Sequence, residues 1–208
     1  MHDVNWWLFI AASIVLIVTP GQDMILVMSR SIAQGSAAGV ATAAGVSVGL
    51  VGHTILATLG LGAILRTSEW LFALLKFAGA AYLVYLGVQL LRTRSQQLVA
   101  VQGTPRSLWR LFADGALSNV SNPKIAVFYF AFLPQFVAPD AKHPTAAVCA
   151  LGLLFAALTF VVKGPVGLAA GRLSGWLRRK PDALKWLYRT SGAVLIGLGI
   201  RLAFERRD

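Results

Sequence analysis

The segment Thr19-Pro20-Gly21-Gln22-Asp23 interrupts an apolar run near the amino terminus. The run begins near Trp6 and meets no Lys or Arg until Arg30, and a membrane crossing needs roughly 20 apolar residues. Proline removes a backbone donor and clashes with the preceding helical turn, while glycine loosens the backbone. The sequence therefore predicts a membrane-spanning helix that is broken near its middle. Broken backbone at that depth must be buried in protein or must line a cavity.

A second interruption, Ser121-Asn122-Pro123-Lys124, lies inside an apolar run of the second half. Two proline-interrupted segments at corresponding places in two halves are the best sequence indication of a transporter binding site. Each half has three apolar spans. Because three is an odd number, the second half must enter the membrane from the opposite face, which makes the two halves an inverted repeat. The predicted fold class is an all-α integral membrane protein with six transmembrane helices, arranged as two inverted three-helix repeats. Its first and fourth helices are broken at Pro20 and Pro123.

Composition supports a membrane protein. The chain is 57% hydrophobic and 13% charged, whereas soluble domains carry about 25% charged residues. The formal net charge of +11 comes from basic residues in short loops between apolar runs, which favours orientation in an anionic membrane over nucleic-acid binding. The single Cys149 lies in an apolar run, so no disulfide framework is expected.

We predict one transmembrane domain over residues 1–208. It comprises a first repeat (1–91), a cytoplasmic loop (92–110) and a second repeat (111–208). With the amino terminus outside, eleven Lys and Arg fall in inner loops and five fall on the outer side, which favours both termini outside. The predicted spans are residues 6–28, 38–64, 70–91, 111–137, 145–171 and 184–204.

Ionisable side chains inside a span are functional candidates, because charge in a bilayer is costly. Asp23 and Lys124 lead, since each directly follows a helix break. The N-terminus of a half-helix offers free N–H groups and partial positive charge to a carboxylate. Lys124 adds a full charge there, and Asp23 is complementary to an ammonium group. We therefore expect one site that holds both ends of an amino acid. The expected substrate-binding residues are Thr19, Pro20, Gly21, Asp23, Asn119, Asn122, Pro123 and Lys124.

Structural roles stay open for these residues. Asp23 and Lys124 can instead form an ion pair that seals the bundle, or can cap the half-helices. His53, near the centre of the second span, suits a proton relay because histidine titrates near neutral pH. It equally suits a buried histidine that donates to a backbone carbonyl.

Three further ionisable residues are weaker candidates. Lys76 and Lys163 can snorkel to the membrane interface, although Lys163 has the stronger functional case because Gly164-Pro165 follows it and should kink the fifth span. Asp114, near the inner entrance of the fourth span, can cap it. The proton-coupling candidates are Asp23, His53 and Lys163.

Signatures of an enzyme are absent from the sequence. It contains no HExxH motif, no Walker loop and no Cys/His cluster spaced for zinc. The segment from Gly45 to Gly49 has the GxSxG spacing, but it lies inside the apolar second span and not at the strand-to-helix turn of a nucleophile elbow. We accordingly predict no catalytic residues, no cofactor and no metal site. Because no nucleotide-binding domain is encoded, pumping would have to use an ion gradient or a partner.

Several segments match a known family, and the block from Phe130 to Val137 is the most specific of them. The other matching segments are Thr19-Pro20-Gly21-Gln22-Asp23, the glycines at 35–39 and 45–62, Gly115, Asn119 and Asn122-Pro123-Lys124. In these residues the chain resembles the lysine-exporter (LysE/RhtB) family of bacterial amino-acid exporters, in particular its homoserine/threonine efflux proteins. Members often carry TPGP at the first break, whereas this chain has Gln22 in place of the second proline, which should alter the shape of the break.

The resemblance implies a multi-pass protein of the bacterial cytoplasmic (inner) membrane. Such a protein would be a secondary transporter that exports amino acids or close derivatives in exchange for protons. Its expected partners are a small-molecule amino acid, protons and membrane lipid, without nucleic acid, and a homodimer stays open.

Two alternatives remain at this stage. An exporter of a small ion or metal would need several carboxylate, Cys or His ligands together, and Asp23 and His53 alone lie deep in the predicted spans. A non-transporting membrane scaffold would leave the buried charges and the paired breaks unexplained.

Overall fold

Helices make up almost all of the described chain. The computed structural model describes residues 4–67, 69–92, 105–137, 141–179 and 181–204. Apart from the helices, an isolated antiparallel backbone bridge joins Val4 to Val137. The helices are α1 (Trp6–Val18), α2 (Gln22–Gln34), α3 (Ser36–Thr67), α4 (Glu69–Arg92), α5 (Leu108–Val120), α6 (Pro123–Phe132), α7 (Pro144–Arg179) and α8 (Pro181–Phe204), with a 3-10 turn at Leu133–Phe136 after α6.

The first helix break lies where Pro20 predicts it. Helix α1 ends at Val18, and the backbone at Thr19 and Gly21 is extended. The chain bends by 51° before α2 continues. Asp23 then lies in the first turn of α2, where a carboxylate is favoured by the helix dipole.

The second break separates α5 from α6 at residues 121–122. Pro123 occupies the start of α6, a position at which its missing N–H removes no helical hydrogen bond. The side chain of Asn122 caps this helix by accepting from the Lys124 backbone N–H at 3.1 Å. Helix α5 begins at Leu108 behind the capping hydroxyl of Ser107, so residues 108–110 of the predicted cytoplasmic loop are helical. Residues 93–104 of that loop lie outside the described residues.

Two helices contain segments long and apolar enough to cross a membrane, namely Ser36–Gly60 within α3 and Pro144–Ala170 within α7. The bent pair α1–α2 provides a third when it is counted as one span. In α4 the apolar segment Phe77–Arg92 is shorter. The described chain is thus all-helical with two or three clear apolar spans, and the six-span arrangement stays a prediction.

The long helices pack as pairs, α3 along α7 and α4 along α8. Glycines allow both contacts. A Cβ atom added at Gly39 would lie 2.9 Å from the Cα of Gly167, and one added at Gly87 would lie 2.6 Å from the carbonyl oxygen of Gly192. Small residues let helix backbones approach closely inside a membrane, so these two interfaces depend on the absence of side chains.

Helix α3 also packs against α5 through the Gly45–Gly49 step of the sequence. A Cβ at Gly49 would lie 2.7 Å from the Cβ of Asn119. Gly115 of α5 fits against the backbone of Thr42 in the same way, with its added Cβ 2.5 Å from the Thr42 carbonyl oxygen. These glycines therefore serve helix packing, and they bring Asn119 into the interior of the bundle.

Aromatic side chains fill one end of the bundle. Phe9 of α1 contacts Phe132 of α6, Phe136 of the 3-10 turn and Phe155 of α7, with ring centroids 5.1–6.4 Å apart. The Asn5 backbone N–H donates to the Phe136 carbonyl at 2.9 Å and closes this end. The family-specific block around Phe132 and Phe136 thus builds the core.

The contact between α4 and α8 predicts different outcomes for two glycines of α8. A Cβ at Gly192 would lie 2.7 Å from the Gly87 carbonyl oxygen, whereas one at Gly197 would meet nothing within 4 Å. We expect Gly192→Ala to lower the free energy of unfolding by about 1–3 kcal/mol through overpacking, and Gly197→Ala to leave it unchanged or raise it. Thermal unfolding of both variants in detergent measures this, and equal melting temperatures would contradict the close contact.

Candidate functional site

A cavity of about 650 Å³ lies between the two helix breaks. Pro20 and Gly21 of the first break and Lys124 of the second lie in its wall. The breaks are also joined directly, because the Asn122 side-chain amide donates to the side-chain oxygen of Gln22 at 3.1 Å. The structure therefore brings the two interruptions together around one hollow. The remaining wall is mostly apolar and includes Leu16, Ile17, Met24, Ile25, Leu50, Leu86, Leu90, Ile125, Phe128, Phe155 and Leu195.

A buried ion pair lies in the cavity wall. Lys163 of α7 places its Nζ 3.3 Å from the Oδ2 of Asp23, and their side chains are 9% and 12% exposed. The same oxygen accepts a hydrogen bond from the Asn119 Nδ2 at 3.0 Å. Charges removed from water require such partners, since an unpaired ion in a low-dielectric interior is strongly destabilising.

This pairing corrects two of the sequence-based interpretations. Lys163 does not snorkel, because its side chain is buried beside the first break. The proposed structural pair of Asp23 with Lys124 is wrong, because the cation that contacts Asp23 is Lys163 and Lys124 donates instead to Gln89. The physical reason is the packing of α7 against α2, which sets Lys163 at the level of the break. The side chain of Lys76 lies outside the described part of the structure.

Lys124 lies in the cavity wall with an exposed side chain. Its Nζ donates to the side-chain oxygen of Gln89 at 3.2 Å, and its backbone carbonyl accepts from the Tyr82 hydroxyl at 3.0 Å. The start of α6 offers fewer free N–H groups than expected, since Pro123 has none and Asn122 already accepts from the Lys124 N–H. The ammonium of Lys124 is therefore the main positive charge available to an anion at the start of α6.

His53 and Asn119 lie behind the cavity wall. The Nε2 of His53 is 3.0 Å from the carbonyl oxygen of Asn119, so this nitrogen carries the proton and donates. The contact agrees with the interpretation of a buried histidine that donates to a backbone carbonyl. Asn119 then connects His53 to Asp23 through its own side chain. Pro123 also lies outside the cavity wall.

Thr19 anchors the first break to the last helix. Its hydroxyl donates to the Val15 carbonyl at 2.8 Å and contacts the hydroxyl of Ser191 on α8. Ser191 in turn donates to the same carbonyl at 3.1 Å. Both hydroxyl residues are buried, so the Val15 carbonyl in the last turn of α1 is satisfied by protein groups.

Sequence reasoning missed Gln22, Gln89 and Thr159, which line the cavity, and Ser191, which bonds to the end of α1. Gln22 carried a usable signal, since it replaces the proline expected in the resembling family and now bridges the breaks. Thr159 also carried a signal, since it lies four residues before Lys163 on the same face of one helix. Gln89 and Ser191 are single polar residues in apolar helices, and nothing in the sequence indicates which side of those helices faces inward.

Several buried oxygens have no hydrogen-bond partner among the described residues. They include the Oδ1 of Asp23, the Oδ1 of Asn119 and the Oγ1 of Thr159. Asp23 and Thr159 line the cavity. Buried polar atoms in proteins are nearly always bonded to protein, water or a ligand, so this wall retains acceptors for a hydrogen-bond donor.

A second cluster of charges lies away from the cavity. The Oδ2 of Asp114 accepts from Arg106 at 2.6 Å and from Arg30 at 3.4 Å. The capping role considered for Asp114 is wrong, because Ser107 caps α5 and Asp114 lies farther along that helix. This cluster ties the end of α2 to the start of α5 near the predicted cytoplasmic face.

The buried ion pair predicts a coupled effect on stability. We expect Asp23→Asn and Lys163→Met each to cost about 3–5 kcal/mol, because each leaves one buried charge unpaired. The double variant should cost much less than the sum, since it leaves neither charge. Unfolding of the four proteins in detergent measures the coupling free energy, and additive losses would show that the two side chains do not interact.

Comparison with known proteins identifies the family. The profile of the LysE type translocator family matches residues 14–206. The homoserine/homoserine lactone efflux protein of Salmonella typhimurium is 33% identical over 203 residues, which cover 97% of this chain and 98% of that protein. The leucine efflux protein of Salmonella choleraesuis is 25% identical over 201 residues, covering 96% and 95%. No solved structure matches the chain. Because the family profile spans nearly the whole of this helical chain, the chain belongs to the LysE type translocator family.

Proposed function

We propose that this protein is a secondary transporter that exports amino acids or close derivatives from the cytoplasm. One observation carries the proposal: both helix breaks, a cation and a buried ion pair surround a single cavity. Similarity to relatives named for efflux of homoserine, homoserine lactone and leucine supports the substrate class. A cavity of about 650 Å³ also falls within the usual range of small-molecule sites, roughly 300–1,000 Å³.

The substrate binds by its two charged ends. Its carboxylate meets the ammonium of Lys124, and its own ammonium meets the carboxylate of Asp23, whose Oδ1 has no partner among the described residues. The apolar wall receives the side chain. Thr19, Pro20 and Gly21 shape the first break, while Asn122 and Pro123 shape the second and Asn119 holds Asp23 in place.

Transport uses two inverted repeats of three spans in the bacterial inner membrane, with both termini outside. The pairing of α3 with α7 and of α4 with α8 supports this arrangement, because each pair joins equivalent helices of the two halves. In this orientation the aromatic cluster around Phe9 and Phe132 lies toward the outside. Phe128 and Phe155 belong to the same group of contacting rings and also line the cavity, so the rings form the outer barrier of an inward-facing state.

Proton exchange drives export in this proposal. Asp23 is one candidate for proton coupling, because it lines the cavity and contacts the buried charge of Lys163. Lys163 is a second candidate at the same place. His53 is a third, but Asn119 separates it from the carboxylate.

The alternative functions have less support. Among the described residues no three His, Cys, Asp or Glu side chains cluster in a way that could hold a metal ion, which disfavours the metal exporter. A scaffold without transport would not need a polar cavity between two broken helices. Growth on inhibitory amino-acid analogues and on metal salts, with and without the protein, separates these functions.

The proposed site predicts loss of efflux in two variants. We expect Asp23→Asn and Lys124→Gln each to slow efflux of labelled amino acid from loaded vesicles about tenfold to a hundredfold, because each removes a charged hydrogen bond worth about 1.5–3 kcal/mol. Asp182→Asn and Lys142→Gln change exposed residues outside the cavity and serve as matched controls. Unchanged gradient-coupled efflux in both site variants would remove these residues from the mechanism.

A further inference from the structure

An exporter of this kind must return to the cytoplasmic side after it has released its substrate. The return is difficult when the binding site contains an acid, because a buried carboxylate without a counter-ion is strongly disfavoured in a low-dielectric interior. While substrate is bound, its ammonium neutralises Asp23. The empty protein needs another positive charge at the same place.

Lys163 provides such a charge. Its Nζ lies 3.3 Å from the Asp23 Oδ2, and it reaches this position from α7, across the cavity wall from the broken helix. A lysine side chain ends in a primary ammonium, the same chemical group that an amino acid presents. Lys163 therefore meets the carboxylate in the way that the substrate would.

No other cation among the described residues lies within ion-pair distance of Asp23. Lys124 also lines the cavity, but its Nζ donates to Gln89. Asn119, the other side chain bonded to the carboxylate, is neutral. As long as Asp23 stays ionised, its neutralisation without substrate thus depends on Lys163.

We propose that Lys163 is a tethered counter-ion that replaces the substrate's ammonium on Asp23 whenever the transporter is empty, and so allows the unloaded protein to return. The inference rests on the proposed function. Substrate and Lys163 exchange places on one carboxylate, so the buried charge is compensated in both halves of the cycle. Lys163 is a positioning residue in this scheme and need not touch the substrate.

A comparison of net efflux with exchange distinguishes this role of Lys163 from ordinary substrate binding. Net efflux into amino-acid-free buffer requires the empty protein to return, whereas exchange of labelled internal for unlabelled external amino acid does not. We expect Lys163→Met in proteoliposomes to reduce net efflux at least tenfold and to keep exchange within about threefold of wild type. Lys163→Arg, which retains the cation, should keep both modes, and Lys124→Gln should slow both.

Equal loss of both modes in Lys163→Met would overturn the inference, because it would indicate a role in binding or folding. Unchanged net efflux would overturn it as well. If the wild-type protein showed neither mode with a panel of amino acids, the proposed function itself would fail, and this inference with it.

A chemical rescue keeps the test independent of folding. Lys163→Cys in a Cys149→Ser background should show the same selective loss of net efflux. Modification with aminoethyl methanethiosulfonate, which restores an ammonium, should recover net efflux in the same sample, and the neutral methyl methanethiosulfonate should not. Recovery with both reagents, or with neither, would contradict the need for a positive charge.

Discussion

A lipid bilayer offers no hydrogen-bond partners to an interrupted helix, and the architecture of this protein follows from that restriction. At the first break, Thr19 and Ser191 bond to the end of α1. At the second break, Asn122 caps α6 and reaches Gln22 across the gap. At each interruption protein groups thus bond to the freed backbone, and a hydrogen bond between Asn122 and Gln22 joins the two interruptions. The cavity between them is a consequence of burying both in one place.

Close contacts between glycines hold the surrounding helices in position. Gly39 meets Gly167 between α3 and α7, and Gly87 meets Gly192 between α4 and α8. Inside a membrane the hydrophobic effect does not drive helices together, so contact at backbone distance and packing must do so. The aromatic rings around Phe132 then close one end of the bundle. Closely packed pairs of helices therefore surround a candidate site made from irregular backbone.

The buried charge of Asp23 is compensated by neighbouring protein groups. The carboxylate of Asp23 receives both an ammonium and an amide on one oxygen, and its other oxygen is buried without a partner among the described residues. Such an arrangement compensates the charge of Asp23 and leaves one of its oxygens as an unused acceptor. It joins the first break to α5 and α7, so a change at the carboxylate would reach both halves of the chain. The proposed transport cycle uses this connection.

Local chemistry allowed much of the fold to be predicted from the sequence alone. Long apolar runs indicated membrane helices, and the missing N–H groups of Pro20 and Pro123 located the two breaks, because these effects depend on neighbouring residues only. The partner of Asp23 could not be predicted in this way. Lys163 is 140 residues away in the chain, and its contact depends on how α7 is rotated and shifted against α2. Tertiary packing alone sets that rotation, since every face of an apolar helix looks alike in the sequence.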